Sequence, residues 1–197
     1  MLDPAKSAEH DRQLASRCVV GDRAAQRQLF EQHRQRVHAI LYRMLGSNRD
    51  IDDLIQEAFL EIFRSLPRYR GEAQLGTWID RITTRVVYRY FSRKKPAPVH
   101  LEAVPDVAHG APGPDRQALA RQAARRLYAA LDKLDPKYRV AFVLHVVEGR
   151  PLREVAEITE TSLVATKSRV WRARREVMKR ASKDPALASF LAPTGGE

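Results

Sequence analysis

Apolar residues recur at three- and four-residue intervals along most of the chain, and no segment alternates apolar and polar residues for long enough to make a strand. Asp22 can cap a helix carrying Leu29, Val37, Ile40, Leu41 and Met44 on one side, and Gly46 can end it. Ser47 or Asn48 can open a second helix, in which Ile51, Leu54, Ile55, Ala58, Phe59, Ile62, Phe63 and Leu66 form a wide apolar stripe that Pro67 stops. A polar stretch from Arg68 to Gly76 precedes Thr77, a candidate cap for a helix from Trp78 to about Lys94, with Ile79, Ile82, Val86 and Tyr90 facing inward. Further on, Asp115 begins a helix through Leu119, Leu127, Leu131 and Leu134. Asp135-Pro136 opens another, with Phe142, Val143, Val146 and Val147 as its core face and Gly149 as its stop. A short segment, Leu152 to Ile158, is followed by Thr159-Glu160-Thr161 and by Ser162, a cap for a long helix from Leu163 to about Ala181. Helix, short turn, helix is the pattern at this end of the chain.

Proline distribution divides the series. Of 11 prolines, Pro96, Pro98, Pro105, Pro112 and Pro114 fall close together with Gly110 and Gly113, which marks a flexible linker between two small helical units. The expected fold is all-α: a first unit over residues 1–95, a linker over 96–114, a second unit over 115–184 and a tail over 185–197.

Charge then separates the faces. The chain carries 35 Lys+Arg against 24 Asp+Glu, a formal net charge of +11, and so attracts polyanions. Against that background, the run from Asp50 to Glu61 holds five acids and no base. An acidic face gains nothing from phosphate and suits a basic protein surface. The basic faces lie elsewhere. On the last helix Thr166, Val170, Ala173 and Val177 point inward and leave Lys167, Ser168, Trp171, Arg172 and Arg175 outside, a surface suited to a DNA major groove. On the helix after Trp78, Arg81, Arg85, Tyr88 and Arg89 cluster opposite the apolar side, where arginines can hold phosphates while an aromatic ring stacks on an exposed base.

Several other chemistries lack their residues. The six histidines are not spaced as a metal template, and Cys18 is a lone cysteine beside Val19 and Val20, so a packed thiol is expected and no internal disulfide. Gly71 and Gly76 have P-loop spacing, but Thr77-Trp78 stands where a phosphate-binding lysine would be needed. No cofactor is expected, and no catalytic or metal site. Neither a run of about 20 apolar residues nor a signal pattern is present, which leads to an expectation of a cytoplasmic, unprocessed chain. An ordinary helix-turn-helix regulator that dimerises through the acidic helix fits these features as well, and a nuclease using that helix is a third reading.

Motif order adds a resemblance. Asp53-Leu54-Ile55-Gln56-Glu57-Ala58-Phe59, the loop Tyr69 to Leu75 with Thr77-Trp78-Ile79, Leu134-Asp135-Pro136-Lys137-Tyr138-Arg139, Glu154-Val155-Ala156 and Lys167 to Arg174 are similar, in sequence order, to motifs of the extracytoplasmic-function sigma factors of bacterial RNA polymerase. The resemblance implies a dissociable initiation subunit and not an enzyme. Asp53, Gln56, Glu57 and Phe59 would dock the clamp helices of the largest polymerase subunit, with the flap of the second largest as a further contact. Tyr69, Arg70, Gln74, Trp78, Arg81, Arg85, Tyr88 and Arg89 would capture and melt the minus-ten element. Ser162, Lys167, Ser168, Trp171, Arg172 and Arg175 would read the minus-thirty-five element. It also implies control by an anti-sigma factor, which could hold the chain at the inner membrane. The sequence departs from the family at Arg85 and Arg89, where asparagine and aspartate are usual, and at Thr83 for alanine. In the turn, Thr159-Glu160 replaces a Leu-Gly pair, and Val164-Ala165-Thr166 replaces a frequent Gly-Thr-Val. Without glycine the turn is expected to widen or the second helix to start differently.

Overall fold

The computed structural model describes residues 4–47, 49–93 and 114–181, and its regular structure among these residues is helical throughout. The proposed linker, apart from Pro114, and the tail lie outside the described residues. Pro114 is the first residue of a helix and not the end of the linker, consistent with proline's preset φ at a first turn.

The amino-terminal unit holds α1 (Pro4–Val19), α2 (Arg23–Leu45), α3 (Ile51–Ser65), a 3-10 turn (Leu66–Arg68) and α4 (Leu75–Arg93). Asp22 caps α2 as expected, accepting from the backbone N–H groups of Ala24 and Ala25 at 2.9 and 3.1 Å. Gly46 ends it at φ +73, its N–H donating to the Tyr42 carbonyl. The stripe of α3 is buried except for Phe63, which is half-buried, and Phe59 packs on Phe30 with ring centroids 4.6 Å apart. Two local expectations change, and one helix is added. Asp50, not Ser47 or Asn48, precedes the first turn of α3. Thr77 lies inside α4, because Asp11 of α1 accepts the Leu75 N–H at 3.0 Å and starts the helix earlier. And α1, whose apolar residues are sparse, forms because Leu14, Ala15 and Cys18 bury one narrow side against the bundle.

The carboxy-terminal unit holds α5 (Pro114–Leu131), α6 (Pro136–Phe142), α7 (Leu152–Ile158) and α8 (Leu163–Ala181). Asp135 caps α6 through the Lys137 N–H, at 2.9 Å. A π-helical turn, Val143–Val147, continues α6. Its wider winding rotates the apolar face: Leu144 joins Phe142 and Val143 in the core, Val146 is half-buried and Val147 is exposed, where a regular helix had been expected to bury both valines. On α8, Thr166, Val170, Ala173 and Val177 are all buried.

The two units meet. Tyr128 of α5 lies under Gly46 and donates to the Arg43 carbonyl at 2.8 Å. Arg139 of α6, itself buried, pairs with Asp132 and donates to the carbonyls of Met44 and Leu45, so one unit caps the open carboxy end of a helix in the other. Its guanidinium also lies 4.7 Å from the centroid of the Phe91 ring.

Candidate nucleic-acid interface

Three surfaces can be built from these elements. On α3 the buried stripe leaves Asp52, Asp53 and Gln56 exposed in the first turns. Glu57 is half-buried and turns toward α4, within 3.3 Å of Arg89 and 3.5 Å of Arg93; Glu61 is 3.7 Å from Arg89. Phe59 points into the core, so any part it takes in docking passes through the placement of the helix.

A cleft of about 720 Å³ opens between the 3-10 turn, the following loop and α4. Pro67, Tyr69, Arg70, Trp78 and Arg81 line it, with Glu157 contributed by α7. The Tyr69 hydroxyl donates to the Ala73 carbonyl at 2.9 Å and closes the loop on itself; burial pushes this phenol up to about 12, so it stays a donor. Tyr69 and Trp78 stand 5.4 Å apart at 56°, a tilted aromatic pair at the cleft wall. Gln74 is exposed at the start of α4, its carbonyl accepting from the Trp78 N–H. Gly71, at φ +73, lies where a Cβ would come within 3.0 Å of the Arg12 side chain, so α1 supports this loop from behind.

The basic face of α4 is matched by carboxylates. Arg81 is 3.5 Å from Glu157. Arg85 makes a bidentate pair with Glu160, its Nε and Nη2 donating at 3.0 and 2.7 Å. Arg89 meets Glu57. Tyr88, expected on the outer side, is half-buried, and its hydroxyl is enclosed without a hydrogen-bond partner among the described residues. Behind this face Asp80 is fully buried, accepting from Arg36 at 2.6 and 2.7 Å and from Arg150 of the other unit. Arg150 also donates to Glu148 at 2.7 Å and Glu154 at 2.9 Å.

On α8, Ser162, Lys167, Ser168, Trp171, Arg172 and Arg175 are all exposed. The Ser162 hydroxyl accepts from the Ala165 N–H at 3.2 Å, the expected cap. Arg175 lies 5.4 Å from the Trp171 ring centroid, and Arg172 donates to the Tyr138 hydroxyl at 3.0 Å. Val164, Trp171 and Met178 add exposed apolar groups to this basic surface. The helix α8 starts at Leu163, directly after its Ser162 cap, and the turn before it is made without glycine: Glu160 adopts φ +52, and the Thr161 N–H reaches the Ala156 carbonyl at 2.9 Å. A non-glycine residue thus occupies the left-handed region, with its carboxylate held by Arg85.

A model of sigma-70 region 2 matches residues 29–96 and a model of sigma-70 region 4 matches residues 124–177, one on each helical unit. The chain belongs to the sigma-70 family of RNA polymerase sigma factors, in its extracytoplasmic-function branch. It is 32% identical over 166 residues to the ECF RNA polymerase sigma factor SigE of Mycolicibacterium smegmatis, aligning 81% of this chain with 63% of that one. With the ECF RNA polymerase sigma-E factor of Haemophilus influenzae it shares 26% identity over 85% of this chain and 93% of the relative. The fold is similar to that of CnrH, solved in complex with the cytosolic domain of CnrY, at a TM-score of 0.58 and 23% identity over 88% of this chain and 98% of that one. It is also similar to sigma factor RpoE, solved in complex with the anti-sigma factor NepR from Bartonella quintana, at a TM-score of 0.56 and 18% identity over 80% and 97%. Sigma factors are DNA-binding initiation subunits and not enzymes; the region 2 match runs from within α2 through α4, and the region 4 match from within α5 to within α8. No helix among the described residues is long and apolar enough to cross a membrane.

The residues that periodicity missed at this interface are Asp11, Arg12, Asp80, Arg150 and Glu157. Each acts through a partner far along the chain. Asp80 carried a local signal, a lone acid just ahead of the basic positions of α4.

Proposed function

We propose that this sigma factor binds core RNA polymerase through the exposed acids of α3 and directs promoter-specific initiation, with α4 and its cleft on the minus-ten element and α8 on the minus-thirty-five element. The observation that supports it most is the segregation of charge by surface. Asp52, Asp53 and Gln56 stand exposed at one end of region 2, whereas aromatic and basic groups line the cleft and the outer row of α8. An acidic row at a helix amino terminus suits a basic protein surface, and a cleft walled by Tyr69, Trp78, Arg70 and Arg81 has the shape and chemistry for an unstacked base with its phosphate. Asp53, Gln56 and Glu57 meet the clamp helices, Phe59 holds that surface from beneath, and region 4 reaches the flap. Because the structurally similar sigma factor RpoE was solved with the anti-sigma factor NepR bound, we extend the same kind of control to this chain. Such a partner would keep the chain cytoplasmic or hold it at the inner membrane.

Binding to core polymerase tests the docking surface. In a fluorescence titration of the labelled full chain with core enzyme, Asp53→Lys is expected to weaken binding at least tenfold, since it reverses a charge facing a basic surface. Affinity unchanged by that reversal would remove α3 from the docking surface.

A further inference from the structure

The cleft beside α4 is held from behind by a helix that the family match does not reach. The region 2 match begins at residue 29, and α1 has already ended at Val19. Even so, α1 braces both walls. At the start of α4 the N–H groups of the first turn have no carbonyl of their own helix to meet, and Gln74, which precedes it, is not a capping residue type. Asp11 accepts the Leu75 N–H at 3.0 Å, across 64 positions of sequence, and adds a negative charge where the helix dipole favours one. Trp78 follows one turn later, its N–H on the Gln74 carbonyl at 3.0 Å, so the capped turn sets where its ring stands. On the opposite wall, a Cβ at Gly71 would come 2.9 Å from the Arg12 Cδ, and burial first, then the Asp11 charge, pushes the Tyr69 phenol up. The same helix packs on the 3-10 turn that leads into Tyr69.

We propose that α1 belongs to the base-capturing apparatus: Asp11 is a positioning residue that fixes the first turn of α4, Arg12 is a stop beneath Gly71, and together they set where Trp78 and Tyr69 stand. This rests on the reading of the cleft as the minus-ten site. Neither residue needs to touch the nucleic acid. Asp11 is an acid beside a basic cleft, so by electrostatics alone its removal strengthens the hold on any strand, whereas loss of a positioned aromatic wall weakens the hold on a base. The two effects have opposite signs. Loss of one cap is also a small share of a domain's stability and leaves nearly every molecule folded, so a role in folding alone would not move the affinity.

The test titrates the full chain at low salt with two fluorescein-labelled DNA strands of equal length, one of random sequence and one wholly abasic, which carry the same phosphates. The wild type should prefer the base-bearing strand. Asp11→Ala should bind that strand roughly fivefold less tightly, the effect of a lost cap, while holding or gaining affinity for the abasic one. Asp11→Asn keeps an oxygen that can accept the Leu75 N–H and should recover most of the loss. Glu31→Ala, an equal charge change at an exposed position of α2, should bind both strands at least as tightly as the wild type. A second readout needs no DNA: the chain has 2 tryptophans, so in a Trp171→Phe background acrylamide quenching reports Trp78 alone, and Asp11→Ala should make it more quenchable. Circular dichroism checks that each variant keeps its helix content. With a wild type that prefers bases, an Asp11→Ala affinity for the base-bearing strand equal to or above wild type would overturn the proposal, as would unchanged quenching of Trp78. If Asp11→Ala exposes Trp78 but the wild type binds both strands alike, the brace stands and the reading of the cleft as the minus-ten site does not.

Discussion

Asp80 shows how much one residue can organise here. It is fully buried and receives Arg36 from its own region and Arg150 from the other, a charge balance that fails if the carboxylate is neutralised. Asp80→Asn leaves two guanidinium groups sharing a neutral partner. Because Arg36 keeps 39% exposure and can be partly rehydrated, a loss of about 2–4 kcal/mol is expected, below the full cost of an abandoned buried charge. Urea unfolding measures it, and a midpoint unchanged from wild type would show that the network contributes little. Arg81 and Arg85 illustrate the opposite case: their pairs are partly exposed and contribute little to whether the chain folds. Which helix positions face in and which face out was largely legible from the sequence because helical spacing separates them, and every outer position assigned on α8 is exposed. What spacing could not supply was the partner of each charge. Tyr88 went astray for the same reason, since the surface that half-buries it belongs to no periodic neighbour.

Helix boundaries were legible where the stop or start is local. Asp22, Gly46, Asp135 and Ser162 work through residues two to four positions away, and each performs the capping or stopping role its type suggested. The start of α4 was not, because its cap comes from Asp11, 64 residues earlier. Nor was the π-helical turn after α6, where one extra residue in the winding changes which valines are buried. Two glycines separate local from tertiary demands. Gly46 and Gly149 both have positive φ, +73 and +70, but a Cβ at Gly46 would sit 2.3 Å from the Tyr128 ring while one at Gly149 meets nothing within 4 Å. Gly149→Ala should therefore cost only the backbone part, about 1 kcal/mol, and Gly46→Ala that amount plus overpacking, about 2–4 kcal/mol in all. Thermal unfolding of the two variants checks the difference; equal losses would mean that the closure of Tyr128 on Gly46 adds nothing.

At the scale of the whole molecule, two helical regions were readable from proline placement and periodicity, and the two family matches fall one on each. The seam between them was not readable, because apolar periodicity says which side of a helix is buried and not against what. It is formed by Tyr128 and Arg139 reaching the end of α2, by Arg150 on Asp80 and by the glutamates on α4. The net charge of +11 attracts polyanions, while the acids of α3 form one surface of opposite sign. Whether this chain turns core polymerase into a promoter-specific complex is read by run-off transcription from a library of genomic promoter fragments, with core RNA polymerase alone and with the purified chain added. Transcripts of discrete length that require the chain, and that diminish with Asp53→Lys, are the predicted result; core polymerase giving the same transcripts with and without the chain on every fragment would contradict it.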